Sequence, residues 1–468
     1  MNTRRMNTRR MNSRRMNSRR MNTLSEAAGT ASLWKHSGFL RLWAGETASQ
    51  FGEQFGNLAI PVIAVSVLGA SSFEVGLLNT AQTLAFLVIG LPAGAWIDRW
   101  IKRRVMLRAD LIRAVLLAAV PMLWLSHVLA FWQLLVVATA VGICSVFFDV
   151  SYQSFVPVLV HKEQIGDANG KLETTAQIAR IAGPAAAGGL LAVLVAPLLL
   201  AVTAITYLAS FFALTSIKDA EVAKPVENRQ PLVVEIKEGL GWVFRQPLLV
   251  RIVLCTAISN LFGALVFTMM PILVLRELGL SPAVYGLIGS AGAIGGLLGA
   301  SLSGRIQKWI GEGHAIPVSQ IVFGLAVFLM PLAALLPGVA IPLLIAGEFF
   351  FSASVLVYNI AQVSFRQRIC PPSLLGRMNA SIRFIVWGVM PIGGLVAGLL
   401  STGIGVVPTI IVGCIGSLLG GVPVVFSKLW RMRTLPGAAT PDASAVPLTS
   451  AFEPAAEPES SAPTEPLN

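Results

Sequence analysis

The chain has 468 residues, of which 55% are hydrophobic and only 12% charged, with a formal net charge of +12 and a mean hydropathy of +0.73. A soluble domain carries roughly 25% charged residues, so a protein wetted on all sides is excluded. The basic surplus does not point to nucleic acid, because the lysines and arginines lie between hydrophobic runs, and the four cysteines (Cys144, Cys255, Cys370, Cys414) lack CxxC or metal-ligand spacing.

The chain begins with a five-residue basic repeat, MNTRRMNTRRMNSRRMNSRRMNTL, without the apolar core of a signal peptide. Residues 1–35 are expected to be a disordered cytoplasmic tail, with Met21 a plausible true start. Twelve hydrophobic runs follow, at 39–67, 74–97, 105–126, 131–158, 172–195, 198–217, 249–275, 283–304, 316–336, 340–363, 379–402 and 406–427. Runs of about 18 or more apolar residues read as membrane spans. Hydrocarbon gives the backbone no hydrogen-bond partners, so they must be helices rather than the short alternating strands of a barrel. The fold class is therefore an all-α membrane protein of twelve transmembrane helices.

The odd-to-even connections are short, and only Arg276 is basic among them. The even-to-odd connections hold Arg99, Lys102, Arg103 and Arg104, then Lys162 and Lys171, then six basic residues between Lys218 and Arg251. Arg305, Lys308, Arg366, Arg368, Arg377, Lys428, Arg431 and Arg433 continue the pattern. The positive-inside rule makes these loops and both termini cytoplasmic, in a multi-pass protein of the cytoplasmic (inner) membrane.

The longest connection, 218–248, separates a six-helix half at 36–217 from another at 249–430. Leu232, Ile236, Leu240 and Val243 within it suit an amphipathic helix on the membrane surface. Residues 431–468 are rich in Pro, Ala, Ser and Glu and read as a disordered tail. GAWIDRWIKR at 94–103 aligns without gaps to GASLSGRIQK at 299–308, which suggests parallel repeats. A looser echo pairs Asn169 and Pro184 with Asn379 and Pro391.

GAWIDRWIKRR resembles the major facilitator superfamily signature G-x-x-x-D-R-x-G-R-R/K, with Ile101 where that family usually has Gly. GETASQFGE, ADLIRA, FFDVSYQSFVPVLV, DANGKLETTAQIARIAGPAAAGG, EGLGWVFRQPLL and FRQRICPPSLLGRMNA narrow the likeness to its antiporter-3 branch, which includes macrolide efflux pumps and the enterobactin exporter. The resemblance implies two pseudo-symmetric six-helix halves. It also implies a gating network of Asp98, Arg99 and Arg103, joined by Asp149 of span 4, that closes the outward-facing state.

Ionisable residues inside a span cost about 2.5–3.5 kcal/mol on insertion scales, so they are functional candidates. Span 1 places Glu46, Gln50, Glu53 and Asn57 on one helical face, which must look into a cavity or the bundle interior. Glu53, near mid-membrane, is the foremost candidate to bind a proton or a cationic substrate, set against a structural hydrogen-bonded carboxyl. Glu348 in span 10 is the second-half candidate, set equally against an inter-helix hydrogen bond. Asn260 in span 7, Asn359 and Gln362 offer further polar contacts, each set against a helix–helix role, which is the commoner one. Asp110 and Arg113, at i and i+3, read as a structural pair. Arg180 is a lone cation before Gly183-Pro184, and Gly183, Pro184 and Gly188 form a packing segment or hinge.

No phosphate loop, HExxH or GxSxG occurs, so neither a P-loop ATPase nor a common hydrolase is expected, and the chain is not read as an enzyme. The expected function is proton-coupled efflux of an amphipathic drug, antibiotic or siderophore by alternating access. Its energy source is the proton gradient, without a cofactor. The expected partners are the bilayer, protons and a small-molecule substrate, with no nucleic acid and a monomeric chain. The alternatives are uptake or flipping of a nutrient or lipid precursor by the same fold, and a membrane sensor or scaffold that moves nothing.

Overall fold

The computed structural model describes residues 33–97, 100–161, 164–217, 240–371, 374–433 and 435. The described residues contain no strand. The first half comprises α1 (Ser37–Val62), α2 (Ser72–Ile97), α3 (Lys102–Leu125), α4 (Phe131–Leu159), α5 (Ile165–Leu191) and α6 (Ala196–Thr215). The second comprises α7 (Pro247–Ile272), α8 (Pro282–Ile310), α9 (Glu312–Val327, resuming at Leu329–Leu335) and α10 (Ala340–Ile369). It ends with α11 (Leu375–Gly388, resuming at Met390–Ile404) and α12 (Val406–Gly420, with a last turn Val422–Val425).

Nine of these passes are long and apolar enough to cross a membrane. The other three, α1, α3 and α5, are comparably long but carry several of the polar and charged residues of the site below. The predicted fifth span, 172–195, is displaced: α5 begins at Ile165, because its first turns carry Asp167, Lys171 and Glu173 and escape a hydropathy reading. Residues 218–239, with most of the predicted amphipathic helix, lie outside the described residues. The end of that stretch is tertiary structure, since Val243 is buried against Leu249, Val253 and Met378.

The halves share one register. The helix starts Ser37, Ser72, Lys102, Ile165 and Ala196 recur 210 residues later as Pro247, Pro282, Glu312, Leu375 and Val406. This corrects the gapless motif match, because it sets Gly94 opposite Gly304 rather than Gly299; α8 is so rich in Gly and Ala that several registers agree by composition. Asn169 does fall opposite Asn379, whereas Pro184 meets Gly394 rather than Pro391. Both α1 and α7 end in a π-turn, Ile63–Val67 and Leu273–Glu277. A glycine in the left-handed region follows each, Gly69 and Gly279, both at φ 61°. The next helix of each half is capped by a serine hydroxyl, Ser71 accepting from Glu74 N and Ser281 from Val284 N.

Packing repeats the symmetry. In the first half α1 packs on α5 and α6, α2 on α4, and α3 on α4 and α6; α7–α12 repeat each of these pairings. The halves meet along two principal seams, α5 against α8 and α2 against α11. Lipid gives no hydrophobic drive between helices, so small residues must let the backbones close. A Cβ on Gly286 of α8 would lie 2.5 Å from the Pro184 carbonyl oxygen and 2.9 Å from Gly188 Cα on α5. A Cβ on Gly76 of α2 would lie 2.7 Å from the Gly394 carbonyl oxygen and from Gly398 Cα on α11. Both seams lie toward the short loops, where Arg276 Nη2 also donates to Ala70 O at 2.7 Å and Val65 O at 3.4 Å in the opposite half.

Gly286→Leu overfills the α5–α8 seam, at a typical cost of about 1–3 kcal/mol. Spin labels at Val67→Cys and Glu277→Cys, in a chain without its native cysteines, should move to longer distances when it is added. An unchanged distance distribution would count against close glycine contact as what holds this end shut.

Candidate functional site: a charged cavity in the first half

The polar face of α1 divides into two parts. Nearer the basic loops, Glu46 is buried, and its Oε1 accepts a 2.7 Å hydrogen bond from Gln50 Nε2. Its Oε2 has no hydrogen-bond partner among the described residues. Two turns further, Glu53 and Asn57 line a cavity of about 460 Å³. Asp149 of α4, Arg180 of α5 and Arg383 of α11 enter the same cavity, with Gln82, Gln153, Tyr207 and Trp387. Asp149 therefore stands with Glu53 inside the bundle rather than among the loop-end charges, because its helix continues for ten residues beyond it.

The charges are arranged around one fixed cation. Arg113 of α3 pairs with Asp110 at 2.5 Å, the two side chains being 2% and 0% exposed. Its guanidinium lies between the rings of Phe148 and Tyr207, 4.4 and 4.2 Å from their centroids, and Nη1 donates to Ser145 Oγ at 3.3 Å. Ring faces and a carboxylate together replace the water that a buried guanidinium loses. The expected Asp110–Arg113 pair is thus formed. Arg113 also acts electrostatically on Glu46, Glu53 and Asp149. Asp149 in turn feels Glu53 as a like charge and Arg383 and Arg180 as opposite ones. Among the described residues, neither Glu53 nor Asp149 makes a hydrogen bond or close ion pair. The Arg383 guanidinium lies 4.6 Å from the Trp387 ring.

A second cavity, of about 230 Å³, shares Asn57 and lies between the halves. Gln54, Leu58 and Pro184 line one side, and Phe267, Met270, Tyr285, Ile288 and Glu348 the other. Gly292 gives Glu348 its room, since a Cβ there would lie 2.6 Å from Glu348 Cγ. The Phe351 ring backs this wall, 4.6 Å from Phe267 and 5.1 Å from Phe323.

The 210-residue register explains the remaining second-half candidates. It sets Thr256 opposite Glu46, Asn260 opposite Gln50, Gln320 opposite Asp110, Phe323 opposite Arg113 and Asn359 opposite Asp149. These uncharged counterparts enclose only about 50 Å³. Asn260 Nδ2 donates to Val386 O at 2.7 Å and ties α7 to α11, while Gln362 Nε2 donates to Asn359 Oδ1 at 3.3 Å. Asn260 therefore serves as a helix–helix tie in this arrangement.

Of the residues expected to gate, Asp98 and Arg99 lie outside the described residues. Arg103 donates from Nε to Leu214 O at 2.9 Å and from Nη2 to Thr215 O at 2.7 Å, capping the end of α6 within its own half. Gly183, Pro184 and Gly188 are packing residues here. A Cβ on Gly183 would lie 2.5 Å from Gln54 Cβ, and Pro184 and Gly188 meet α8. The sequence by itself assigns no role to Arg383, Trp387, Gln82, Gln153 or Tyr207. Their signal was a polar or amphipathic residue within or beside an apolar run, although nothing local says that Arg383 crosses to the first half.

The family model described as transmembrane secretion effector matches residues 28–454. The multidrug efflux pump Tap of Mycolicibacterium fortuitum is 26% identical over 380 residues, covering 79% of this chain and 90% of that protein. Macrolide efflux protein A of Streptococcus pyogenes is 22% identical over 372 residues, covering 79% and 90%. Among solved structures, a bacterial homologue of the iron transporter ferroportin in its inward-facing state superposes with a TM-score of 0.67 at 16% identity, covering 85% of this chain and 99% of that one. A bacterial homologue of the human lysosomal transporter Spinster gives 0.63 at 13% identity, covering 82% and 95%. At such identities the structural likeness establishes the fold alone.

Removing one partner of a buried ion pair costs about 3–5 kcal/mol, whereas replacing both is often neutral. Asp110→Asn should therefore lower the thermal unfolding midpoint in detergent markedly. The double change Asp110→Gln with Arg113→Phe, which copies Gln320 and Phe323 of the other half, should recover most of the loss. A double variant no more stable than the single one would contradict this account of the pair.

Proposed function

The chain belongs to the transmembrane secretion effector family, a drug-efflux branch of the major facilitator superfamily, and from that premise we propose that it exports amphipathic small molecules in exchange for protons. Like the relatives it matches, it is a multi-pass membrane transporter and not an enzyme. The single observation that carries the coupling is the placement of Glu53 and Asp149. Two carboxyl groups without hydrogen bonds or close ion pairs line one cavity deep in the bundle, within electrostatic reach of each other. Like charges so placed favour holding one proton between them, and a carboxyl free of fixed partners can exchange that proton.

In this reading the basic loops face the cytoplasm, and both termini lie there. The glycine seams and Arg276 then seal the outer end, and the molecule is an inward-facing monomer of the cytoplasmic membrane whose two halves complete the path. A substrate's apolar body rests on Phe267, Met270, Tyr285 and Ile288, with its polar or cationic end toward Glu348. Asn57 links that chamber to the Glu53–Asp149 pair, so a proton arriving from outside and a substrate arriving from inside compete for one polar face. Parting of the α5–α8 and α2–α11 seams exposes the cavities to the other side. One proton moved across 100 mV yields about 2.3 kcal/mol, enough for roughly fifty-fold accumulation. The names of the relatives, a multidrug pump and a macrolide efflux protein, support a drug-like cargo.

The test uses inside-out vesicles with an acidified lumen and a fluorescent amphipathic amine. The full chain should concentrate the dye inside. Glu53→Gln should lose this gradient-driven accumulation yet keep downhill exchange, and Asp149→Asn should slow it at least about tenfold, a loss on the scale of one proton-transfer group. Wild-type rate and pH dependence in Glu53→Gln would remove the coupling proposal. Dye depletion instead of accumulation would turn the direction of transport around.

A further inference from the structure

We infer that a groove on the outer side of the first half, where α3 and the residues just before it meet α4 near the basic loops, binds the phosphate headgroup of an anionic phospholipid. The groove encloses about 520 Å³ and is lined by Trp100, Arg104, Arg108, Ile112 and Phe147, with Cys144 at its side. It shares no residue with the charged cavity. On α4, Phe147 precedes Asp149 by two residues, about 200° of helical rotation, so the two open to opposite sides.

Three features point to a lipid of negative charge. First, Arg104 and Arg108 are exposed and have no hydrogen-bond or ion-pair partner among the described residues. Arg103, on the same turn, is instead engaged by carbonyls of α6. At i and i+4 their Cβ atoms are about 5–6 Å apart, so both guanidinium forks can reach one phosphate. The amino end of α3 adds its own positive field there. Second, Trp96, Trp100 and Phe147 form a stacked aromatic wall, with centroids 6.1–6.4 Å apart. The two tryptophans are 43% and 47% exposed, and such rings favour the level of the headgroups. Third, the outward surface of α3 continues as Ile112 and Val115, 46% and 61% exposed, which offers acyl chains a path along the helix. A soluble anion would leave that surface uncovered, whereas a phospholipid covers both parts. The inference requires only that the chain spans a membrane and does not depend on the direction or coupling of transport.

The experiment measures retention of added lipid by native mass spectrometry, using the full chain stripped of lipid in non-ionic detergent. The probes are phosphatidylglycerol and phosphatidylcholine with the same acyl chains, each with and without millimolar inorganic phosphate. Phosphatidylglycerol should bind the wild type well above phosphatidylcholine, and inorganic phosphate should not displace it. Arg104→Gln with Arg108→Gln should weaken phosphatidylglycerol about thirty-fold, the worth of two near-surface arginine–lipid attractions. Arg431→Gln, a distant basic site, should leave it unchanged, and all variants should unfold at the wild-type temperature without lipid. Equal retention by wild type and double variant would overturn the inference. Displacement by inorganic phosphate would do so in favour of a soluble anion. No preference for phosphatidylglycerol would do so in favour of another occupant, such as the acidic stretch between Asp219 and Glu238.

Discussion

A guanidinium held in hydrocarbon must bring its own solvation, and the arrangement around Arg113 is the constraint on which the first half is built. Asp110, two ring faces and a serine hydroxyl draw α3, α4 and α6 around that one charge. With a permanent cation buried there, the carboxyl groups of α1 and α4 sit within its field rather than in bare hydrocarbon. Arg180 and Arg383 share that work for Asp149, Arg180 for Glu53, and the Gln50 amide for Glu46, which lightens the penalty of several kcal/mol that an ionisable group meets in a bilayer.

The two halves share a backbone plan and differ in charge. Where the first carries Glu46, Asp110, Arg113 and Asp149, the second carries Thr256, Gln320, Phe323 and Asn359 at the same register. The neutral version packs nearly closed, and its residual space is small. The charged version stays open, since ionic groups need room, water or one another. One half can thus serve as the variable electrostatic partner while the other supplies an apolar wall with Glu348 as its single acid in the shared chamber.

Much of this was legible in the sequence because a bilayer imposes simple rules. Hydrophobic runs and the alternation of basic loops yielded the helices, and the spacing of Glu46, Gln50, Glu53 and Asn57 yielded an inward face. Three things were not legible. Asp149 looked like part of a loop-end network because the family resemblance joined it to Asp98, although the apolar run 131–158 already carries the span past it. Arg383 belongs to the second half by sequence and to the first-half cavity by tertiary packing, which no local pattern encodes. Asn260 stayed open between a substrate contact and a helix tie, because an amide side chain reads the same whether it meets a cargo or a backbone carbonyl.

The π-turn that ends α1 has a mechanical consequence. Widening the last turn leaves carbonyls there available to an outside donor, and Arg276 of the other half takes up that of Val65 together with that of Ala70. Its counterpart 210 residues earlier is Ser66, so the pseudo-symmetry supplies no second arginine here. Hydrogen bonds from a charged group are worth about 1.5–3 kcal/mol, so one side chain carries much of the polar attachment between the halves at this end.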